Sequence, residues 1–318
     1  MYLPEKINIC EVGLRDGLQN EKRIFSTEEK IALLNKMGEA GFAVIEVGAF
    51  VSPKAVPQMA NTDDVFKGLK QLPGIEYRSL AVNVRSVERA IACGCKKVML
   101  NVSASTSHNL ANLNCTPQET VAKFATCVEK AKEANIGISG SISMVFGSPW
   151  DKEIPLEHVA DIVDAYLKVG IDEINLADAS GIAYPMQVHK ICTYMKEKYP
   201  QVKWWLHFHN TRGLGMANIM AGIESGFTNF DTSFAGIGGC PFVPGAAGNV
   251  ATEDVLHMCE ESSIATGVNL DKAIDISRSV TKLVSHTTDS YILRAGKASE
   301  LIKELPKGQI KNQTQLKK

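Results

Sequence analysis

The chain has 318 residues, 45% of them hydrophobic and 22% charged, with a formal net charge of −1. This is the composition of a globular protein with ample material for a core, and the balanced charge excludes bulk attraction to nucleic acid or to an anionic membrane. No apolar run approaches the roughly 20 residues of a membrane span, and Met1-Tyr-Leu-Pro-Glu-Lys carries no secretory signal, so neither membrane nor nucleic acid is an expected partner. The eight cysteines are scattered with no Cys-x-x-Cys pair, which fits reduced thiols and a cytoplasmic location.

In chain order, β-like runs fall at Ile7–Val12, Ala43–Ala49, Tyr77–Val82, Lys97–Ser103, Gly137–Val145, Glu173–Ala177, Lys203–His209 and Phe230–Ala235. Helical patterns separate them. Ser26 is a candidate N-cap for the helix after the first strand, which ends at the glycine of Ala40-Gly41-Phe42. Thr116-Pro-Gln-Glu opens another helix with a cap and a proline at the first position, and Ile154-Pro-Leu-Glu opens one that ends at Gly170. Ala217–Glu224 reads as a further helix, ended at Gly226. Eight strands alternating with helices predict a parallel sheet closed as a (β/α)8 TIM barrel. No Gly-x-Gly-x-x-Gly follows the first strand, which argues against an open nucleotide-binding sheet. Residues 1–318 read as one catalytic domain, with a core over about 5–270, C-terminal helices closing the barrel, and a frayed basic tail at its end.

A barrel of this kind carries its chemistry at the C-terminal ends of its strands. Polar residues cluster there: Arg15, Asp16 and Gln19 after strand one, Glu46 within strand two, Asp178 after strand six and His207-Phe208-His209 at the end of strand seven. Residues two apart on a strand face the same way, so both imidazoles enter the mouth if either does. With the Asp16 carboxylate and the Asn249 amide they form a mixed nitrogen and oxygen set suited to Mg²⁺ or Mn²⁺. Arg15 is placed to stabilise a developing oxyanion. Glu46 lies in an apolar strand and needs a cation, for which Arg15 is the obvious candidate. Cys240 differs from the other cysteines in lying within a glycine-rich loop, where a thiol can exchange a proton with a carbon acid.

These residues together resemble the 3-hydroxy-3-methylglutaryl-coenzyme A lyase family of metal-dependent barrels. The resemblance runs from about Leu3 to Leu270. Its strongest segments are Val12-Gly-Leu-Arg-Asp-Gly-Leu-Gln-Asn-Glu-Lys, Phe50-Val-Ser-Pro-Lys-Ala-Val-Pro-Gln-Met and Ala235-Gly-Ile-Gly-Gly-Cys-Pro-Phe, continuing to Gly248-Asn249-Val-Ala-Thr-Glu-Asp. It implies a divalent cation (Mg²⁺ or Mn²⁺) on Asp16, His207, His209 and Asn249, a catalytic Cys240, an enolate-stabilising Arg15 and an active-site Glu46. The implied reaction is retro-Claisen cleavage of a 3-hydroxyacyl-coenzyme A, by default 3-hydroxy-3-methylglutaryl-coenzyme A, to acetyl-coenzyme A and acetoacetate. The base stays open among Asp16, His207 and a water on the ion. Arg15, Gln19, Asp178 and Arg212 are the expected substrate contacts, and a homodimer paired through the outer helices is expected.

The chain departs from the family pattern at His209-Asn210-Thr211-Arg212-Gly213 and at Gly147-Ser148-Pro149-Trp150-Asp151-Lys152. It departs again before Leu113-Asn114-Cys115, and strand two reads Glu46-Val47-Gly48-Ala49 where hydroxyl residues are expected. The departures fall on the acyl pocket and the coenzyme A contacts. Arg212 is a candidate for a differently placed carboxylate, as in a citramalyl-like thioester. The alternative reaction is condensation of the isopropylmalate or citramalate synthase type, whose enzymes carry C-terminal regions for which nothing here is left over.

Overall fold

A computed structural model of the protein describes residues 3–239, 247–284 and 288–301. Eight parallel strands pair in sequence order and close on themselves: β1 (Asn8–Glu11), β2 (Val44–Ala49), β3 (Glu76–Ala81), β4 (Lys97–Ser103), β5 (Gly137–Ser143), β6 (Glu173–Asp178), β7 (Lys203–Phe208) and β8 (Asn229–Thr232). Around them lie α1 (Thr27–Ala40), α2 (Thr62–Gly68), α3 (Val84–Ala92), α4 (Thr106–Leu113), α5 (Pro117–Lys123), α6 (Ala125–Glu133), α7 (Leu156–Val169), α8 (Pro185–Lys198), α9 (Gly215–Glu224), α10 (Thr252–Glu261), α11 (Leu270–Thr281) and α12 (Tyr291–Ala295). The predicted (β/α)8 barrel is the observed fold, and α11 packs on α1 where the outer ring closes. The basic tail from Lys307 lies outside the described residues.

Local signals act where the sequence places them. Ser26 and Glu29 form a reciprocal capping box at the start of α1, and Thr116 with Glu119 does the same for α5. Gly41 and Gly170 end α1 and α7 with φ of 95° and 89°, a left-handed conformation that costs glycine little. Two strands stop earlier than their apolar runs suggest. Met144 (φ 61°) breaks β5 and Ala235 (φ 57°) turns the chain after β8.

Strand alternation sorts the side chains into two layers. On β7, Trp204, Leu206 and Phe208 join the main core between strands and helices, whereas Trp205 packs inside the barrel with Cys10 and Val12. The barrel interior is polar at its base. Arg78 and Lys97 meet Glu173 at 3.1 and 2.7 Å, Lys203 reaches the same carboxylate at 3.0 Å, and the Arg78 guanidinium lies 4.6 Å from the Trp205 ring centre. Burial would raise the Glu173 pKa, but Arg78 and Lys97 outweigh it and hold the carboxylate below its ordinary value. This ionic plug closes the bottom and leaves the opposite mouth open.

Candidate active site

The mouth begins with the turn that follows β1. Residues Gly13–Gly17 form a single wide helical turn in which the N–H groups of Arg15, Asp16 and Gly17 all point to the Val12 carbonyl. A turn this tight against the barrel demands glycine: a Cβ on Gly13 would stand 2.4 Å from the Phe234 ring. Beneath it, Glu11 Oε1 accepts the N–H groups of Gly13 (2.8 Å) and Phe234 (3.0 Å), and the Thr252 hydroxyl lies 2.6 Å from Oε2. Glu11 therefore fixes the turn that carries Arg15 and Asp16 without itself lining the cavity.

Burial pushes the Glu11 carboxyl up to about 8 against the pull of its donors, and nearby Glu253 on α10 adds to the rise. With the folded value above the unfolded one, this group's stabilisation is full below about pH 4.5 and drains as pH climbs through about 8. Glu11→Gln keeps an acceptor for both N–H groups and carries no charge. Its Tm is expected to fall less than the parent's between about pH 4.5 and about pH 8, in a scan at fixed ionic strength. Parallel curves for the two proteins would remove Glu11 as the cause.

Asp16 is the hub of the site. Its carboxylate receives Arg15 Nη1 at 2.5 Å, Gln19 Nε2 at 2.8 Å and Asn249 Nδ2 at 2.7 Å, and His209 Nε2 lies 3.3 Å away. Burial opposes its charge, but Arg15 and the two histidines outweigh that and hold it far below the usual carboxylate range. Arg15 Nε pairs with Glu46 Oε2 at 2.8 Å, so the cation expected for the buried glutamate is Arg15. Burial still pushes Glu46 up to about 7, because the neighbouring Asp231 and Asp16 offset part of what Arg15 contributes.

The two imidazoles enter the mouth side by side, their ring centres 5.1 Å apart. His207 and Asp231 are register partners on β7 and β8, and His207 Nδ1 lies 3.2 Å from Asp231 Oδ2, which also accepts Asn175 Nδ2 at 2.6 Å. Burial would lower the His207 pKa; Asp231 and Asp16 outweigh it and raise it. Engaging Nδ1 leaves Nε2 for the site, as a carboxylate does behind many metal-ligating histidines.

One ligand atom each from Asp16, His207 and His209 lies within 4.8 Å of the others. Asn249, whose amide nitrogen donates to Asp16 and to the Ile237 carbonyl, keeps a buried Oδ1 with no hydrogen-bond partner. Two imidazole nitrogens, a carboxylate and a spare amide oxygen fit a hard divalent ion.

A cavity of about 340 Å³ opens onto this cluster. Arg15, Asp16, Gln19, His207 and His209 line one part of it, and Leu80, Met99, Ser141 and Met144 line another. Asp178 and Arg212 are not among its lining residues. The Asp178 carboxylate accepts the N–H groups of Ile182 and Ala183, holding its own turn, and exposed Arg212 donates to the carbonyls of Ser180 and Gly181. Cys240 lies outside the described residues; its neighbours Gly238 and Gly239 line the cavity. Gly238 (φ 112°) admits no side chain, since a Cβ would come within 2.5 Å of Asn249 Nδ2. Sequence reasoning missed Glu11, Asp231 and Asn175. For Asp231 a signal existed, because it alternates with outward-facing Phe230 and so faces inward beside His207.

The family model described as HMGL-like matches residues 6–280. The mitochondrial hydroxymethylglutaryl-CoA lyase of Homo sapiens is 38% identical over 293 residues, covering 92% of this chain and 90% of that protein. A hydroxymethylglutaryl-CoA lyase of Bacillus subtilis is 36% identical over 94% of this chain and 100% of its own. A Pseudomonas aeruginosa relative, a 3-hydroxy-3-isohexenylglutaryl-CoA/hydroxy-methylglutaryl-CoA lyase, is 37% identical over 94% and 98%. Among solved structures, an HMG-CoA lyase from Acinetobacter baumannii in complex with coenzyme A and 3-methylmalate superposes with a TM-score of 0.89 at 39% identity, covering 95% of this chain and 98% of that one.

Proposed function

The chain belongs to the HMGL-like family, and from that premise we propose that it is a divalent-metal-dependent carbon–carbon lyase that cleaves 3-hydroxy-3-methylglutaryl-coenzyme A to acetyl-coenzyme A and acetoacetate. The observation that carries this reading is the convergence of Asp16, His207 and His209 beside Arg15 in one cavity, with the unpartnered Oδ1 of Asn249 at hand. The ion, Mg²⁺ or Mn²⁺, would be held by Asp16, His207, His209 and Asn249, and when bound supplies Lewis acidity toward the substrate hydroxyl and its neighbouring oxygen.

The chain's own groups account for the rest. A base among Asp16, His207 and a water of the site takes the proton of the tertiary hydroxyl, the C2–C3 bond breaks, and its electron pair moves into the thioester as an enolate while C3 becomes a ketone. Arg15, held by Glu46 and Asp16, presents a fixed positive charge to the enolate oxygen in a site of low dielectric. Cys240 donates the proton that turns the enolate carbon into the methyl of acetyl-coenzyme A. Asp231 orients His207, and Gln19 holds Asp16 from the cavity side.

Purified, Mg²⁺-supplied protein is expected to release acetyl-coenzyme A from 3-hydroxy-3-methylglutaryl-coenzyme A, and to lose that activity with a chelator or with Cys240→Ala. Turnover of citramalyl-coenzyme A alone would keep the reaction and reassign the substrate. Net condensation of acetyl-coenzyme A with a 2-oxo acid would replace the lyase with a synthase.

A further inference from the structure

Asp16, Arg15 and the two imidazoles stand on the β1 and β7 sides of the cavity of about 340 Å³. A substrate whose C3 hydroxyl rests there turns its other C3 substituents toward the wall built by β3, β4 and β5. Asn101, Ser141 and Ser143 give that wall polar atoms, and Leu80, Met99 and Met144 give it apolar surface.

Met144 reaches the cavity by a route the other two do not need. Leu80 and Met99 are register partners within β3 and β4. On β5, Ser141 and Ser143 face the cavity, so a residue 144 that continued the strand would point to the helices. Met144 instead takes φ 61°, a left-handed conformation that is costly for a residue with a side chain, and this turn brings it to the cavity out of phase. Strain of this kind persists only where surrounding contacts hold it, and it gathers at functional sites. The contacts here are specific. Ser180, buried in the turn after β6, has Oγ 2.9 Å from Met144 Sδ and 3.2 Å from the Gly147 carbonyl. The Val145 N–H donates to the Ala177 carbonyl at 3.2 Å, and Ala177 is the register partner of His207. The strained turn is thus tied to β6, next to the strand that presents His207.

Taking the lyase reading as given, we propose that Met144 is a specificity-determining residue: its thioether, pinned by Ser180 on a strained turn, is the wall that meets the alkyl branch on C3 and limits it to the size of a methyl group. The strain is what aims the side chain, since a relaxed residue at this position would leave the branch facing a gap.

The test measures kcat/KM of the whole enzyme on 3-hydroxy-3-methylglutaryl-coenzyme A and on its 3-butyl counterpart. The parent is expected to favour the methyl compound by about tenfold or more, and Met144→Ala to shrink that preference about tenfold. Met144→Leu, of similar volume, is expected to keep the preference within about threefold. Ser180→Ala leaves the Met144 side chain in place but unpinned, and is expected to lower the preference about threefold. In thermal melts Met144→Gly is expected to melt about 1–2 °C above Met144→Ala, because glycine alone relieves the left-handed φ. An unchanged preference in Met144→Ala, or in Ser180→Ala should the first fail to fold, would overturn the proposal. So would a parent that cleaves the butyl compound as fast as the methyl one, and a Met144→Ala that melts above Met144→Gly would remove the strain on which the aim depends. A parent that cleaves neither thioester would instead bring down the lyase reading.

Discussion

Asp16→Asn is expected to lower kcat at least a thousandfold and to abolish Mn²⁺ binding in the micromolar range, with the fold retained. The reason lies in what surrounds that carboxylate. It is the negative charge between Arg15 and the two imidazoles, and it takes hydrogen bonds from Arg15, Gln19 and Asn249. An amide turns one of those acceptors into a donor among donors, and it removes the charge that a divalent ion would meet.

Asp231→Asn provides a graded comparison. Asp231 acts through His207 Nδ1, so its loss is expected to weaken Mn²⁺ binding by roughly 10–100-fold, less than the loss of Asp16 itself. Calorimetric titration with Mn²⁺ and a thermal melt of each variant separate ligand loss from unfolding. Asp16→Asn retaining Mn²⁺ affinity within a few-fold of the parent would sink its assignment as a ligand.

The fold was legible because its signals are local and repeated. Ser26, Thr116 and Gly170 each punctuate a helix by short-range chemistry that survives into the structure. The His207-x-His209 pair was legible for the same reason, since alternation along one strand decides which way both rings face. The same rule separates Asp178 from Asn175 and Ala177: those two face the cavity on β6, and Asp178 is one residue out of phase, with its carboxylate taken by the next turn. Position at a strand end thus locates a residue without saying which group claims it.

What stayed hidden depends on contacts between distant segments. Glu11 sits in an apolar run and has no local mark; its partners Gly13, Phe234 and Thr252 meet only when β1 and β8 close the barrel. The ionic plug of Arg78, Lys97, Glu173 and Lys203 is likewise drawn from four strands, each contributing one of these charges, and Glu173, the shared partner of the three cations, lies on a different strand from each of them. Arg212 stood out as a departure from the family pattern; in the fold its Nη1 donates to the carbonyls of Ser180 and Gly181.

Arg15→Gln is expected to reduce kcat by about a thousandfold while KM changes by less than about fivefold, because its charge matters most when the enolate forms. Lysine is expected to restore little. Its single ammonium cannot span Glu46 and Asp16 as the guanidinium does through Nε and Nη1. The variant should still fold: without Arg15 the Glu46 carboxyl, already raised to about 7 by burial, rises further and becomes neutral instead of standing as an unpaired buried charge. This predicts strong non-additivity. If Glu46 acts by holding Arg15, then Glu46→Gln is slow in the parent but adds no more than about threefold in the Arg15→Gln background. A double variant a hundredfold slower than Arg15→Gln would show that Glu46 handles a proton of its own, and steady-state kinetics on the four proteins of the cycle decides between the two.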